Sequence, residues 1–165
     1  MPRYGRGIVK ARYLYLIALM VVILDQTSKW AILKHLPYGS SVPVIGDTVY
    51  FTTVRNPGGA FGMFQSSAGI LTVITLATVI GIAIVVRRRT AVPASVGIAL
   101  ALLLGGSAGN LIDRIRFHHV VDFIDFRFWP VFNLADSAIT IGIIVLACYF
   151  LFFEGRRSDS VAAKS

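Results

Sequence analysis

Apolar residues gather in four runs, at about 13–33, 68–86, 93–112 and 134–153. Each is close to the ~20 residues that a helix needs to cross a bilayer. Polar, aromatic and Pro/Gly-rich stretches separate them. The pattern predicts an all-α polytopic membrane protein: four transmembrane helices in a single domain over 1–165, with loops 34–67 and 113–133 at one end of the bundle. Within the first loop, Pro37, Gly39, Pro43 and Gly46 break the chain early. The run from Thr48 to Val54 is then rich in β-branched and aromatic residues, as a strand would be. Asn56-Pro57-Gly58-Gly59 follows as a turn. A small β-rich platform is expected there, with 117–129 as a short, partly helical flap.

Composition agrees with the spans: of 165 residues, 56% are apolar and 15% charged, and the mean hydropathy is +0.74. Such a chain is neither disordered, collagen-like nor a coiled coil. The formal net charge of +8 would suit nucleic acid or topology, and position decides between them. Ten basic residues flank one end of the bundle: Arg3, Arg6, Lys10 and Arg12, then Arg87 to Arg89, then Arg156, Arg157 and Lys164, against Glu154 and Asp159. At the other end Lys29, Lys34, Arg55, Arg114, Arg116 and Arg127 balance Asp25, Asp47, Asp113, Asp122, Asp125 and Asp136. The positive-inside rule therefore puts both termini in the cytoplasm and both long loops outside, as an extracytoplasmic platform and flap. A nucleic-acid partner would need basic residues interleaved with exposed aromatics, and Arg87 to Arg89 form only a connector between spans. The basic start and the run Tyr13 to Leu24 resemble a signal peptide, but the apolar pattern continues to Leu33 with no Ala-x-Ala site, so an uncleaved first helix is expected. Eight of the 11 Phe lie between Phe51 and Phe132, which makes the outer side more aromatic than a belt on both faces would require.

Carboxylates at membrane depth are costly and rare, so each is a functional candidate. With the cytoplasmic ends fixed, Asp25 lies about twelve residues up the first span, at ~18 Å for a rise of 1.5 Å per residue. Asn110 and Asp113 close the outward end of the third span, Asp136 opens the fourth, and Asp122 lies between those two. These groups converge on one level, the outer interface.

Each also has a plain structural reading. Asn133 and Asp136 have the spacing of a capping arrangement, which is as good an account of Asp136 as catalysis. Asp122 would cap a short helix, and Asp125 lies three residues on, so the sequence does not choose between them. Asp25 and Lys29 are i, i+4 partners. Asp113 and Arg114 suit a charge pair at a helix end. Gly105-Gly106-Ser107-Ala108-Gly109 suits close helix packing. Cys148, the one cysteine, has no partner for a disulfide or CxxC pair and reads as a buried small apolar residue.

Other catalytic constellations are weaker. His35, His118 and His119 lack HExxH spacing, so no metal is expected. Gly58-Gly59 lacks the Lys-Ser/Thr of a phosphate loop. A serine nucleophile at Ser28, Ser107 or Ser137 with Lys29 as base remains open. Two neighbouring carboxylates sharing a proton and activating water are the other option.

The stretches Leu24-Asp25-Gln26, Asn56-x-Gly58-x-Ala60-Phe61, Gly105-Gly106-x-x-Gly109-Asn110-Leu111-x-Asp113-Arg114, Val120-Val121-Asp122-Phe123 and Phe132-Asn133-x-Ala135-Asp136-Ser137 together resemble lipoprotein signal peptidase, the bacterial signal peptidase II family. The resemblance is ordered from the first span to the fourth, over roughly 13–153. Gly59 departs from the Ala that the family carries there. The resemblance implies a membrane aspartyl endopeptidase of the bacterial cytoplasmic (inner) membrane, cleaving prolipoproteins just before a diacylglyceryl-modified cysteine. Its implied catalytic pair is Asp122 and Asp136. Asn56, Asn110, Arg114 and Asn133 would bind substrate, with Asp25 and Asp113 in support. It implies no metal or other cofactor; a lipid environment, no nucleic acid and a monomer are the other expectations. A proton-relay subunit is the rival class, but a relay needs polar groups at several depths, and the lower parts of spans two and four, Ile80 to Val86 and Ile143 to Phe153, are apolar.

Overall fold

The computed structural model describes residues 8–58, 68–88 and 92–154. In chain order the elements are β1 (Ile8–Val9), α1 (Ala11–His35), β2 (Ser41–Ile45), β3 (Val49–Asn56), α2 (Ala68–Arg88), β4 (Val92–Pro93), α3 (Ala94–Phe117), β5 (Val120–Asp125) and α4 (Leu134–Tyr149), the last ending in a π-helical turn, Phe150–Glu154. Four of these helices are long and apolar enough to cross a membrane, and they sit on the four hydrophobic runs. Gly59, Ala60 and Phe61 of the Asn-Gly motif lie outside the described residues, as do Arg3, Arg6, Arg89, Arg156, Arg157 and Lys164 of the charge count.

α3 is the centre of the bundle and packs on α1, α2 and α4. More than half of its spanning window is buried inside the protein, against less than a fifth in the other three. Its small residues make this possible. A side chain at Gly106 would put its first carbon 2.5 Å from the Ala135 carbonyl oxygen of α4, and one at Gly105 would meet the Ala18 carbonyl oxygen of α1 at 2.6 Å. Only glycine admits such close approach of helix backbones. α2, by contrast, turns Ile70, Val73, Ile74 and Ile80 outward. In a membrane, lipid rather than water meets that surface, so its exposure carries no hydrophobic cost.

The two sheets lie at opposite ends. β1 pairs antiparallel with β4 ahead of α1 and α3, beside a core of Leu14, Val86, Val92 and Ala101. At the other end β2, β3 and β5 form an antiparallel sheet in that order. Val54 faces Asp122 and Asn56 faces Val120 across β3 and β5. The Arg55 guanidinium stacks on the Tyr38 ring at 4.3 Å, and the Tyr38 hydroxyl meets His119 Nε2 at 3.1 Å, tying the sheet to the end of α3.

Several expectations change. The stretch 117–129 is not a partly helical flap: Val120–Asp125 is a strand of the platform, because every second residue there can be paired with β3 while both faces are covered. Asp122 therefore caps no helix. The segment after β5 folds back on it, with Phe132 bridging Ile124 and Arg127 in the left-handed region. Pro43 does not simply break the chain but sits in β2, an edge strand where its missing N–H costs no ladder bond. α3 runs on to Phe117, so Asp113 and Arg114 are helical rather than in a loop; the basic side chains of Arg114 and Arg116 suit the negative end of its dipole. Cys148 is exposed on the outer face of α4 instead of buried, on a surface where an apolar side chain faces lipid.

Candidate active site

β5 alternates its side chains between two faces, and this separates Asp122 from Asp125. Asp125 accepts from the Thr52 hydroxyl at 2.6 Å and from the Arg127 backbone N–H at 2.7 Å, and pairs with the Arg127 guanidinium at 3.4 Å. Despite its desolvation, those hydrogen bonds and the Arg127 charge hold its carboxyl below the usual value. Asp122 points the other way, into the bundle. Burial, and after it the neighbouring charge of Asp136, pushes its carboxyl up to about 6.

Amide groups hold Asp122 on both oxygens. Asn133 Nδ2 donates to its Oδ1 at 2.7 Å and Asn56 Nδ2 to its Oδ2 at 2.8 Å. Asn56 is fixed in turn because its own side-chain oxygen accepts the Gly58 N–H at 3.1 Å, the Asx turn that Asn-Pro-Gly encodes. Asp136 is held in the same manner. Asn110 Nδ2 donates to its Oδ1 at 2.8 Å, and the Asn133 backbone N–H to its Oδ2 at 3.3 Å. The Asp136 N–H returns a bond to Asn133 Oδ1 at 2.9 Å, so Asn133 and Asp136 form a complete capping box at the start of α4. Capping and proximity to Asp122 are thus two properties of one arrangement.

Both carboxylates, with Asn56, Asn110 and Arg114, line a cavity of about 190 Å³, closed on one side by Trp129, Pro130 and Phe132. A wider groove of about 490 Å³ adjoins it at Asp136, walled by Phe126, Phe128, Trp129, Thr140 and Ile141. Asn133 is fully buried behind the first cavity. Among the described residues neither Asp122 nor Asp136 has a cationic partner within ion-pair distance.

Lys29 is the buried cation nearest in kind, and it is spent elsewhere. Its ammonium lies 2.8 Å from Asp25 Oδ2 and 2.7 Å from Asp113 Oδ2. Asp113 therefore pairs with Lys29 and not with Arg114. The option of a serine with Lys29 as base fails on this geometry: an ammonium shared by two carboxylates is no base, the Ser28 hydroxyl bonds the Asp25 carbonyl oxygen and the Ser137 hydroxyl bonds the Asn133 carbonyl oxygen. Gly109 leaves room for this cluster, since a side-chain carbon there would stand 2.6 Å from Asp25 Oδ2. All eight residues singled out from the sequence thus meet at one end of α1, α3 and α4. Reading the sequence missed three things: the second carboxylate on Lys29, the Trp129-Pro130 wall, and the apolar groove. Only the aromatic density of 126–132 hinted at the last two.

A model of the family described as Signal peptidase (SPase) II matches residues 17–152. The chain belongs to the signal peptidase II family. A lipoprotein signal peptidase of Bacillus velezensis is 41% identical over 150 residues, covering 88% of this chain and 97% of that one. One from Moorella thermoacetica is 43% identical over 142 residues, covering 86% and 95%. A bacterial membrane enzyme solved by the in meso method superposes with a TM-score of 0.79 at 34% identity, over 84% of this chain and 87% of the other. A second such structure has the same TM-score at 32% identity and covers 91% and 99%. Residues 17–152 of this signal peptidase II family member include every one of the site residues described above.

Proposed function

We propose that the chain is a membrane aspartyl endopeptidase that removes signal peptides from prolipoproteins by cleaving just before a diacylglyceryl-modified cysteine, with Asp122 and Asp136 as its catalytic pair. The observation that carries this reading is that the two carboxylates share one cavity, are held by neutral amides and a backbone N–H, and among the described residues have no cation within ion-pair distance. Like charges so placed cannot both ionise easily, so the pair keeps one proton.

Asp136, at the third position of α4, sits where the helix dipole favours a negative charge. Asp122, pushed upward by burial, keeps the proton. A water between them gives its proton to Asp136 as its oxygen attacks the scissile carbonyl, while Asp122 donates its proton to the carbonyl oxygen. Collapse of the gem-diol then breaks the C–N bond: the proton on Asp136 passes to the leaving amine while one gem-diol hydroxyl returns its proton to Asp122, which leaves a carboxylic acid product and restores the pair. The donor fork of Arg114 binds substrate carbonyls at the cavity rim. Asn56, Asn110 and Asn133 orient the acids, and Asp25 and Asp113 support them from behind. The chemistry asks for no cofactor, and one chain supplies every group.

In this reading the protein spans the bacterial cytoplasmic membrane with both termini inside and the platform outside. The apolar groove beside Asp136 takes an acyl chain, so the lipid brings the scissile bond to the acids. Incubating purified protein with a diacylglyceryl-modified prolipoprotein and with its unlipidated form tests this. Cleavage of the lipidated form alone is expected; comparable cleavage of both removes the lipid from the argument.

A further inference from the structure

Lys29 is buried, and neither proposed catalytic acid is its ion-pair partner. Its ammonium lies against Asp25 Oδ2 at 2.8 Å, Asp113 Oδ2 at 2.7 Å and Asn110 Oδ1 at 3.3 Å. What those partners do next is telling. Asp25 Oδ1 accepts the backbone N–H of Ala135 at 3.0 Å, and Asp113 Oδ2 accepts that of Val121 at 3.1 Å. Ala135 immediately precedes Asp136, and Val121 immediately precedes Asp122. Asn110, the third partner, donates directly to Asp136. One ammonium on α1 is thereby linked to α3, to the start of α4 and to β5.

We infer that Lys29 is a positioning residue for the Asp122–Asp136 pair: by holding Asp25 and Asp113 together it fixes, through one backbone N–H on each side, the residue ahead of each reacting carboxylate. The inference rests on the aspartyl reading above. Stability alone is a poor reason for such a cluster, because a buried ion pair is often no better than apolar side chains of the same volume. Geometry is the better reason. Without the ammonium, two buried carboxylates braced by Gln26 at 3.1 and 2.9 Å must separate or take up protons. Either change loosens their grip on Ala135 and Val121. The charged and polar groups around Lys29 are Asp25 and Gln26 from α1 and Asn110 and Asp113 from α3; its charge also reaches Asp136 on α4 and Asp122 on β5, where it favours the ionised form.

The test compares Lys29→Met, and the variant Lys29→Met/Asp113→Asn that keeps the net charge of the cluster, with the parent on a synthetic diacylglyceryl-cysteine prolipoprotein peptide. Thermal melting in detergent scores the folded fraction, and kcat and KM are followed across pH. A misplacement of even ~1 Å can cost on the order of 100-fold. The expected result in both variants is a kcat lowered roughly tenfold or more per folded molecule with a KM within about threefold, and in Lys29→Met, which alone changes the net charge of the cluster, an acid limb of kcat/KM moved to higher pH. Parental kcat and pH profile in either folded variant overturn the inference, as does a loss that only tracks the folded fraction. If Lys29→Met does not fold, the charge-conserving variant is read in its place. Asp122→Asn in the same assay keeps the two claims apart: parental turnover there defeats the aspartyl reading itself, whereas an inactive Asp122→Asn beside a fully active Lys29→Met defeats only the positioning role.

Discussion

Asn133 donates its side-chain N–H to Asp122 Oδ1 at 2.7 Å from the N-cap of the helix that carries Asp136. One amide thus sets the distance between a strand and a helix terminus. Serine caps helices about as well as asparagine, but its hydroxyl cannot accept from Asp136 N–H and also span to Asp122. Asn133→Ser should therefore keep the cap but leave Asp122 short of a donor, costing about 1–3 kcal/mol of stability, while turnover per folded molecule falls severalfold or more. Melting and cleavage measured on one preparation check this. A variant as active as the parent would reduce Asn133 to a cap.

The pair should behave as a unit. Asp122→Asn and Asp136→Asn are each expected to abolish most cleavage, and the double variant to lose little more, since groups that act together are strongly non-additive. Asp125→Asn is the matched control. Its side chain lies on the opposite face of β5, bound to Thr52 and Arg127, so it should keep near-parental activity. Activity in Asp122→Asn together with loss in Asp125→Asn would move the site to the other face of the strand.

Much of this was legible in the residues. The four spans followed from run length, because a bilayer fixes how many apolar residues a helix needs. The convergence of Asp25, Asn110, Asp113, Asp122 and Asp136 at one level followed from alternating spans. The capping box followed from the Asn133 and Asp136 spacing. What the residues left open depends on partners distant in sequence. Whether Asp122 or Asp125 faces the bundle is decided by the register of β5 on β3, and a shift of one residue would exchange them. The helical reading of 117–129 failed because strand pairing with β3 outweighs local pattern. Lys29 offered one partner four residues away; its second, Asp113, needed the packing of α1 on α3.

Asp122 should also leave a signature in stability. Because burial raises its folded carboxyl from 3.8 to about 6, ionising it costs stability. That cost is absent where folded and unfolded states both hold the proton, below about 3.8, grows as pH rises, and is complete above about 6. Asp122→Asn removes the cost but offers one acceptor oxygen where the carboxylate offered two. The variant is therefore expected to melt higher than the parent at about pH 8, by less than about 3 kcal/mol of stability, with the gap closing toward about pH 4. In the parent, kcat/KM should decline above about pH 6 as the pair loses its one shared proton, a macroscopic property of both acids. A gap that stays constant with pH would mean Asp122 is ionised at ordinary cost, and one that widens on acidification would mean the fold favours its ionised form.

Orientation is the last expectation, and the chemistry depends on it. Basic residues crowd the end of the bundle opposite the acids, with Arg87 and Arg88 in the last turn of α2, so that end should stay in the cytoplasm. Cys148 is exposed on α4 and would react with a permeant probe, so the test begins from a Cys148→Ser background. Asp47→Cys, in the exposed turn between β2 and β3, should be labelled from outside intact cells by an impermeant thiol reagent, and Arg88→Cys should not until the membrane is opened. Both positions are exposed, so failure to label reflects the side of the membrane rather than burial. The reverse pattern would leave Asp122 and Asp136 facing the cytoplasm, and a peptidase acting on exported prolipoproteins could not work from there.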